Sequence, residues 1–189
     1  MVGLFFGCNK KNGDLKEADV IQKPYVISQE DREFRKKIKN NKIPYIIIPV
    51  GISVESNLII DEHSNIYYYQ RTRSFGFGND YRMENDSLTR FLNLLPKDLI
   101  KIPKDCLTKI IDENVMSKEK NRQILIMASQ TDTIKDQEFL NFLHHLKIPI
   151  YIIRRTTQEE DTVLKYKILD KYYNSKSVKW DKTKIKFIN

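Results

Sequence analysis

The sequence predicts an α/β protein built on one mixed sheet, and three observations support this class. The chain has 189 residues, of which 40% are hydrophobic, and this suits a single domain with a sizeable core. Short apolar runs alternate with segments of helical periodicity. Two stretches read as strand, helix, strand, the order of a βαβ unit with parallel strands. We therefore expect a mixed sheet with two βαβ-like units and a β-hairpin, and helices packed on the sheet.

The two predicted βαβ-like units are similar in sequence. Residues 31–48 and 136–153 align without a gap at an offset of 105 positions, and eight of the eighteen aligned residues are identical. Apolar runs at 25–29 and 125–130 supply the first strand of each unit. A duplication would explain the likeness, and so would chance in a chain rich in Lys, Ile and Asn.

The segment between the two units predicts a hairpin and two helices. Residues 58–61 and 66–69 are apolar strands around a polar four-residue turn. A helix is expected near 86–95, where Leu and Phe recur with helical spacing. Another helix should begin at Pro103, a favourable residue for the first helical position.

The second unit has expected strands at 123–128 and 148–154, with a helix between them. Thr133 and Asp136 have the spacing of a capping box and should begin that helix. Its apolar residues recur at the spacing of a broad inward stripe, so the helix should pack firmly on the sheet.

The C-terminal segment predicts a helix over about 158–173 and an edge strand over 182–188. Two overlapping capping boxes begin the helix, Thr156 with Glu159 and Thr157 with Glu160. Lysines alternate along the final strand, and exposed lysines discourage edge-to-edge pairing.

The N-terminus carries a candidate address signal. Residues 4–8 read Leu-Phe-Phe-Gly-Cys, and the sequence turns polar directly after Cys8. This resembles the end of a bacterial lipoprotein signal, in which a small residue precedes the cysteine that becomes the lipid-bearing N-terminus. Signal peptides need a longer charged and apolar region, so we expect the signal to be truncated. A buried N-terminal strand and an apolar end with an incidental cysteine are the alternatives.

The lipoprotein resemblance implies an organisation and a location. Residues 1–8 would be the remainder of the signal, 9–23 a polar tether, and 24–189 a single α/β domain. The protein would be held by lipid in the bacterial cell envelope, facing the periplasm or the cell surface. A cytoplasmic location is the alternative.

The order of elements in the middle and late chain is similar to that of another family. A hairpin, helices, a strand, a helix and a strand also follow one another in the periplasmic domain of the ExbD/TolR biopolymer-transport family. The likeness is one of element order, and that family's membrane helix and proton-carrying aspartate have no counterpart here. It therefore implies no function and no site residue.

Two strand ends are the candidate anion site. In open α/β sheets ligands bind beyond the carboxyl ends of strands, and helix N-termini can hold an anion. The candidate residues are Ser129, Thr131, Thr133, Arg154, Arg155, Thr156 and Thr157. If the two strands are parallel neighbours, the arginines and hydroxyls could clamp a phosphate or carboxylate. Alternatively, the threonines are helix caps and the arginines pair with Asp132 or Glu159.

An aromatic loop is the candidate surface for a partner. Phe75, Phe77 and Tyr81 lie within seven residues that also contain two glycines. Aromatic side chains are costly to leave in water and dominate interface hot spots. The loop therefore either folds onto the core or contacts another protein.

Charge and the remaining reactive residues give weaker signals. The formal net charge is +8, and eight lysines lie between Leu164 and Asn189 among aromatic residues. Such a segment is typical of a single-stranded nucleic-acid binder or of a solvated surface. The scattered Cys and His residues predict no metal site, no glycine pattern predicts a nucleotide cofactor, and Cys106 is expected to be a buried small hydrophobe.

These patterns lead to three functional hypotheses. The first is a lipid-anchored envelope protein that binds or inhibits another protein without catalysis, as an immunity protein does. The second is an enzyme or binder of an anionic small molecule that uses the 129–133 and 154–157 loops. The third is a cytoplasmic nucleic-acid-binding protein that uses the basic C-terminal segment.

Overall fold

The computed structural model describes residues 21–40, 56–70 and 89–186. In these ranges the strands are β1 (Tyr25–Val26), β2 (Ser56–Ile60), β3 (Ile66–Gln70), β4 (Thr89–Arg90), β5 (Ile100–Ile102), β6 (Ile124–Ser129), β7 (Thr133–Ile134), β8 (Ile150–Arg155) and β9 (Ile185–Lys186). The α-helices are α1 (Ile27–Lys39), α2 (Leu107–Ile111), α3 (Gln137–His145) and α4 (Gln158–Ile168).

The main sheet has the strand order β5-β3-β2-β6-β8. β2 and β3 form the predicted antiparallel hairpin, with Ile60 opposite Ile66. β6 runs parallel to both β2 and β8, and the α3 crossover joins β6 to β8. The α/β class, the mixed sheet, the hairpin and the second βαβ unit are therefore confirmed.

Two apolar layers cover the two faces of the sheet. Successive residues of a strand point to opposite faces, so Leu58 and Ile60 enter one core while Ile59 enters the other. The first core contains Phe139 of α3 and residues of α2, and the second is closed by α4. Among the described helices, none has the length and apolar character that a membrane span requires.

The first predicted βαβ unit differs from the second. β1 has two residues and pairs antiparallel with β7, outside the main sheet. Residues 27–29, expected to be strand, begin α1 instead because Asp132 caps this helix: its carboxylate accepts from Ser28 N at 3.1 Å and Ser28 Oγ at 2.7 Å. The second strand of the unit, predicted near 45–48, lies outside the described residues.

A helix was expected near 86–95, but the described part of this range, 89–95, contains no helix. Residues 89–90 form β4, and the following five residues have no regular structure. Asn93 has a φ of 60°, a left-handed conformation that interrupts a helix. Leu95 is extended at φ −121° and ψ 150°, as expected for a residue that precedes proline.

Helix α2 and its approach largely match the prediction made for Pro103. Pro103 caps a short 3₁₀ turn, Lys104–Cys106, that leads directly into α2. Leu107 and Ile111 are buried as expected, and a π turn, Asp112–Met116, follows.

Helix α3 begins at a different capping residue from the one predicted. Thr133 lies in β7, where it pairs with Val26. Asp136 caps α3 by itself, since its Oδ1 accepts from Phe139 N at 2.9 Å.

Helix α4 is shorter than predicted and has well-defined ends. Thr157 and Glu160 form the expected capping box, with bonds of 3.2 and 2.8 Å. At the other end Asp170 adopts a φ of 48°, and Lys171 N donates to Tyr166 O at 3.1 Å. Asp170 N donates to Lys167 O at 3.3 Å. These two bonds are those of a Schellman motif, with aspartate where glycine is usual.

The final strand begins later than predicted, at Ile185. β9 pairs in parallel with β4 in a separate two-stranded sheet, and is not an edge of the main sheet. Residues 182–184 form a turn because the Asp181 side chain accepts from Thr183 N and Oγ1 at 2.9 and 2.6 Å.

Candidate functional site

The carboxyl ends of β6 and β8 lie side by side, which meets the condition set for the candidate anion site. Ser129 is in register with Arg155, and Thr156 N donates to Ser129 O at 3.1 Å. The two candidate loops are therefore neighbours at one edge of the sheet.

Arg154 is bound to a buried carboxylate at this edge. Its two terminal nitrogens donate to the two oxygens of Glu160 at 2.7 and 2.8 Å. Glu160 also accepts from Tyr69 Oη at 2.7 Å and from Thr157 N at 2.8 Å. We call these four residues the Arg154–Glu160 network. The partner of Arg154 is thus neither Asp132 nor Glu159, the two that the sequence suggested.

The Arg154–Glu160 network keeps a fully buried carboxylate ionised. Burial by itself raises the pKa of Glu160, but the Arg154 charge and the donated hydrogen bonds outweigh it and hold the pKa near 2. The network joins β3, β8 and α4, so it holds the helix against the sheet.

The other anion-site candidates are mostly occupied by internal bonds. Ser129 Oγ donates to Thr131 O at 2.8 Å, and Thr131 Oγ1 donates to Thr133 O at 3.0 Å. Arg155 is exposed and donates to the Gln130 carbonyl. The Thr156 Oγ1 atom is buried without a hydrogen-bond partner. These bonds shape the loops themselves.

A cleft of about 450 Å³ lies at the carboxyl ends of β2 and β6. It is lined by Ile60, Asp61, Glu62, Ser64, Thr131, Asp132, Thr133, Ile134 and Lys135. Three carboxylates and a single lysine make this lining electronegative. The cleft therefore contains two of the predicted hydroxyls but is unfavourable for an anion.

Asp61 builds one wall of this cleft by shaping the hairpin turn. Its Oδ1 accepts from His63 N at 2.9 Å and Asn65 N at 2.7 Å, and its Oδ2 accepts from Asn65 Nδ2 at 2.8 Å. Ser64 takes a φ of 63° in the same turn. The polar turn expected at these residues is confirmed, and Asp61 is its organising residue.

A second buried glutamate, Glu159, makes contacts other than those predicted from the sequence. Glu159 accepts from Leu92 N at 2.6 Å and from Leu94 N at 2.7 Å. It thereby fixes the irregular segment 91–95 against the start of α4. The sequence signal was its spacing from Thr156, which resembles a capping box and suggested a different contact.

The aromatic residues of the basic C-terminal segment mostly pack against other rings. Tyr166 and Tyr173 meet edge to face at 5.2 Å, as do Phe91 and Trp180. Burial and, to a lesser extent, the nearby Glu159 charge together raise the pKa of Tyr173 to about 12. Rings used in this way are poor platforms for stacking bases. Among the described aromatic residues of this segment, Tyr172 is the exception, since it is largely exposed.

The remaining candidates divide between buried, exposed and undescribed residues. Cys106 is buried in the core, where it packs as a small hydrophobic residue. His144 and His145 are exposed, and the described residues contain no acid, His or Cys group arranged for a metal ion. Cys8, Phe75, Phe77 and Tyr81 lie outside the described residues.

The fold and the strand-end geometry define a protein of the α/β class. Comparisons with protein-family models, curated proteins and solved structures found no match to this chain.

Proposed function

We propose that this protein is a lipid-anchored binding protein of the bacterial envelope that engages another protein and is not an enzyme. The observation that carries the choice among the three hypotheses is the Arg154–Glu160 network. The arginine best placed to clamp an anion is already bound through both terminal nitrogens to a carboxylate inside the fold. The address comes from the lipoprotein-like residues 4–8.

The network argues against anion binding on energetic grounds. A phosphate that captured Arg154 would leave the buried Glu160 carboxylate without its ion-pair partner. Breaking a buried pair in this way costs about 3–5 kcal/mol, which the ligand would have to supply. The electronegative cleft beside the loops makes the binding of an anion still less favourable.

The proposed contact with a partner is the aromatic loop at 74–81. If the protein is of the immunity type, this loop would contact the protein that is blocked. The test is capture of a partner from envelope fractions, with identity checked by reciprocal capture. The triple variant Phe75→Ser, Phe77→Ser and Tyr81→Ser should lose the partner while its Tm changes little.

A matched control for the loop variant uses exposed residues elsewhere on the sheet. Ile100 and Tyr151 are 61% and 45% exposed, so the variant Ile100→Ser and Tyr151→Ser makes the same kind of apolar-to-polar change on a described surface. This control should retain the partner. Equal capture by the loop variant and the native chain would exclude the loop as the contact, and no reciprocal partner at all would count against the proposal.

Lipidation is tested by the intact mass of the native product, made with its upstream genomic sequence. Acylation consumes the sulfur of Cys8, and a disulfide to Cys106 within one chain would consume the same sulfur, because the sequence has only these two cysteines. A chain that starts at acylated Cys8 supports the envelope address. An unprocessed chain with two hydrogens lost to a disulfide contradicts it.

The anion hypothesis remains testable through Arg155, which is an exposed residue. We expect inorganic phosphate to leave the Tm of the native chain and of Arg155→Ala unchanged. A phosphate-dependent rise in Tm that Arg155→Ala abolishes would restore the second hypothesis and displace the proposed one.

A further inference from the structure

The C-terminal end of α4 exposes large apolar side chains at one place. Ile168 is 53% exposed, Leu169 is 48% exposed and Tyr172 is 88% exposed. These three lie within five consecutive residues. Single exposed hydrophobic residues are normal on a protein surface, but large apolar residues exposed close together along the chain are a candidate interaction site.

The geometry of the helix end explains why these residues stay exposed. Leu164 is fully buried, and Ile168 lies one helical turn further along the same stripe. The Schellman motif at Asp170 then turns the chain away before a longer helix can form. The apolar stripe of α4 therefore extends beyond the core that its first half covers.

Lysines accompany the exposed apolar residues. Lys165, Lys167 and Lys171 lie within the same stretch, and Asp170 is the one acidic residue between positions 165 and 172. We call the three apolar residues and these three lysines the α4 patch. Like charges would oppose a symmetric contact between two copies of this patch.

We propose that the α4 patch docks on the surface of an anionic lipid bilayer. Aliphatic and tyrosine side chains enter the boundary between headgroups and acyl chains, and lysine stems lie along it while their charges remain at the headgroups. The lysines also attract anionic lipids. An acidic protein with an apolar pocket is the competing occupant, and the test below includes it.

This inference rests on the proposed envelope address and extends it to the orientation of the domain. The patch adds a second, reversible contact to a lipid at Cys8, and two membrane signals bind far more strongly than one. The domain would then lie against the bilayer through the end of α4 instead of moving freely on its tether.

The test uses the full chain with Cys8→Ser, which removes any acyl group. Binding is measured by co-sedimentation with vesicles of phosphatidylcholine, alone or mixed with phosphatidylglycerol. Partition to the mixed vesicles should be at least about tenfold stronger, since each lysine near an anionic surface contributes about a fivefold factor. Binding should weaken as salt is raised.

Two patch variants and two controls locate the contact. Leu169→Ser with Tyr172→Ser, and separately Lys165→Gln with Lys171→Gln, should each weaken partition about tenfold or more. The apolar control is Ile100→Ser with Tyr151→Ser, and the charge control is Lys36→Gln with Lys37→Gln on the exposed face of α1. Both controls should bind like the parent.

Several outcomes would overturn the proposal. They are equal partition to the two vesicle types, equal losses in the controls and the patch variants, or no vesicle binding with patch-dependent binding of an acidic protein. Should the apolar variant unfold, the lysine variant alone decides. Because the parent lacks an acyl group, failure here leaves the intact-mass test of Cys8 unaffected.

Discussion

Glu160 keeps its charge although its side chain has no contact with solvent. A carboxylate in this position is tolerated only when donors surround it, and Arg154, Tyr69 and Thr157 supply them. Each of these donors comes from a different element or loop. The ionisation of Glu160 therefore depends on the packing of α4 against the sheet.

Replacing Arg154 should show how much the buried Glu160 charge lowers the free energy of unfolding when it has no ion-pair partner. We expect Arg154→Ala to lower the free energy of unfolding by about 3–5 kcal/mol, because Glu160 loses its ion-pair partner while remaining buried. Arg155→Ala, at an exposed neighbouring position, should change it by less than about 1 kcal/mol. Urea denaturation of both variants measures the difference, and similar values for the two would refute the structural role of Arg154.

The low pKa of Glu160 predicts an acid-sensitive fold. Its ordinary value is 4.5 and its value in the fold is about 2, so the folded state favours the ionised form. The linked stability is present above pH 4.5 and is lost as pH falls towards 2, by roughly 3 kcal/mol. The variant Glu160→Gln should not show this loss. The difference in the free energy of unfolding between the variant and the native chain should therefore become smaller as pH falls.

The control for the pH experiment is Glu33→Gln, a change of the same kind at an exposed position on α1. Its stability should follow that of the native chain across the whole pH range. A gap between Glu160→Gln and the native chain that stays constant from neutral pH to pH 3 would show that Glu160 is not the linked group.

At the scale of elements, the first turn of α4 organises two separate parts of the molecule. Glu160 binds the sheet through Arg154 and Tyr69, while the adjacent Glu159 binds the backbone of Leu92 and Leu94. The segment 91–95 has no internal helix or strand bonds of its own. Its conformation therefore depends on a side chain from a distant element.

Weakening this contact should loosen segment 91–95 selectively. We expect Glu159→Gln to speed amide hydrogen exchange at Leu92 and Leu94 by about tenfold or more, because charge-assisted hydrogen bonds are roughly twice as strong as neutral ones. Glu113→Gln, at an exposed position of the π turn, serves as the control. Unchanged exchange at both amides would show that the segment is held by other contacts.

The sequence predicted the elements whose signals are local. The hairpin, β6, α3 and β8 follow from apolar runs and capping residues within each element. β4 and β7 have two residues each and no local strand pattern, and the pairing of β1 with β7 and of β4 with β9 joins distant segments. At the candidate site, the Thr157 and Glu160 cap was predictable, but the bonds of Glu160 to Tyr69 and Arg154 depend on tertiary packing.

At the scale of the whole molecule, the start of the described chain is tied to its middle. Ser28 and Asp132 are 104 residues apart, and their two bonds begin α1. The paired strands β1 and β7 lie beside them. Helix α1 therefore owes its position to a loop of the second βαβ unit.

Removing the Asp132 carboxylate should release α1 before the rest of the fold. We expect Asp132→Ala to cost about 0.5–2 kcal/mol, the usual value of a helix N-cap, and to raise protease cleavage within 21–40. Asp112→Ala, at an exposed position, is the control. Protection of 21–40 equal to that of the native chain would show that the cap does not hold α1.

The long-range contacts also determine when parts of the nascent chain can fold. Residues 89–95 complete their contacts only when Glu159 and β9 have left the ribosome. Synthesis at roughly 5–20 residues per second makes that wait several seconds. Until then residues 89–95 cannot form these native contacts. A translocation pore that engages the N-terminus early would therefore meet a chain that is not yet folded in this region.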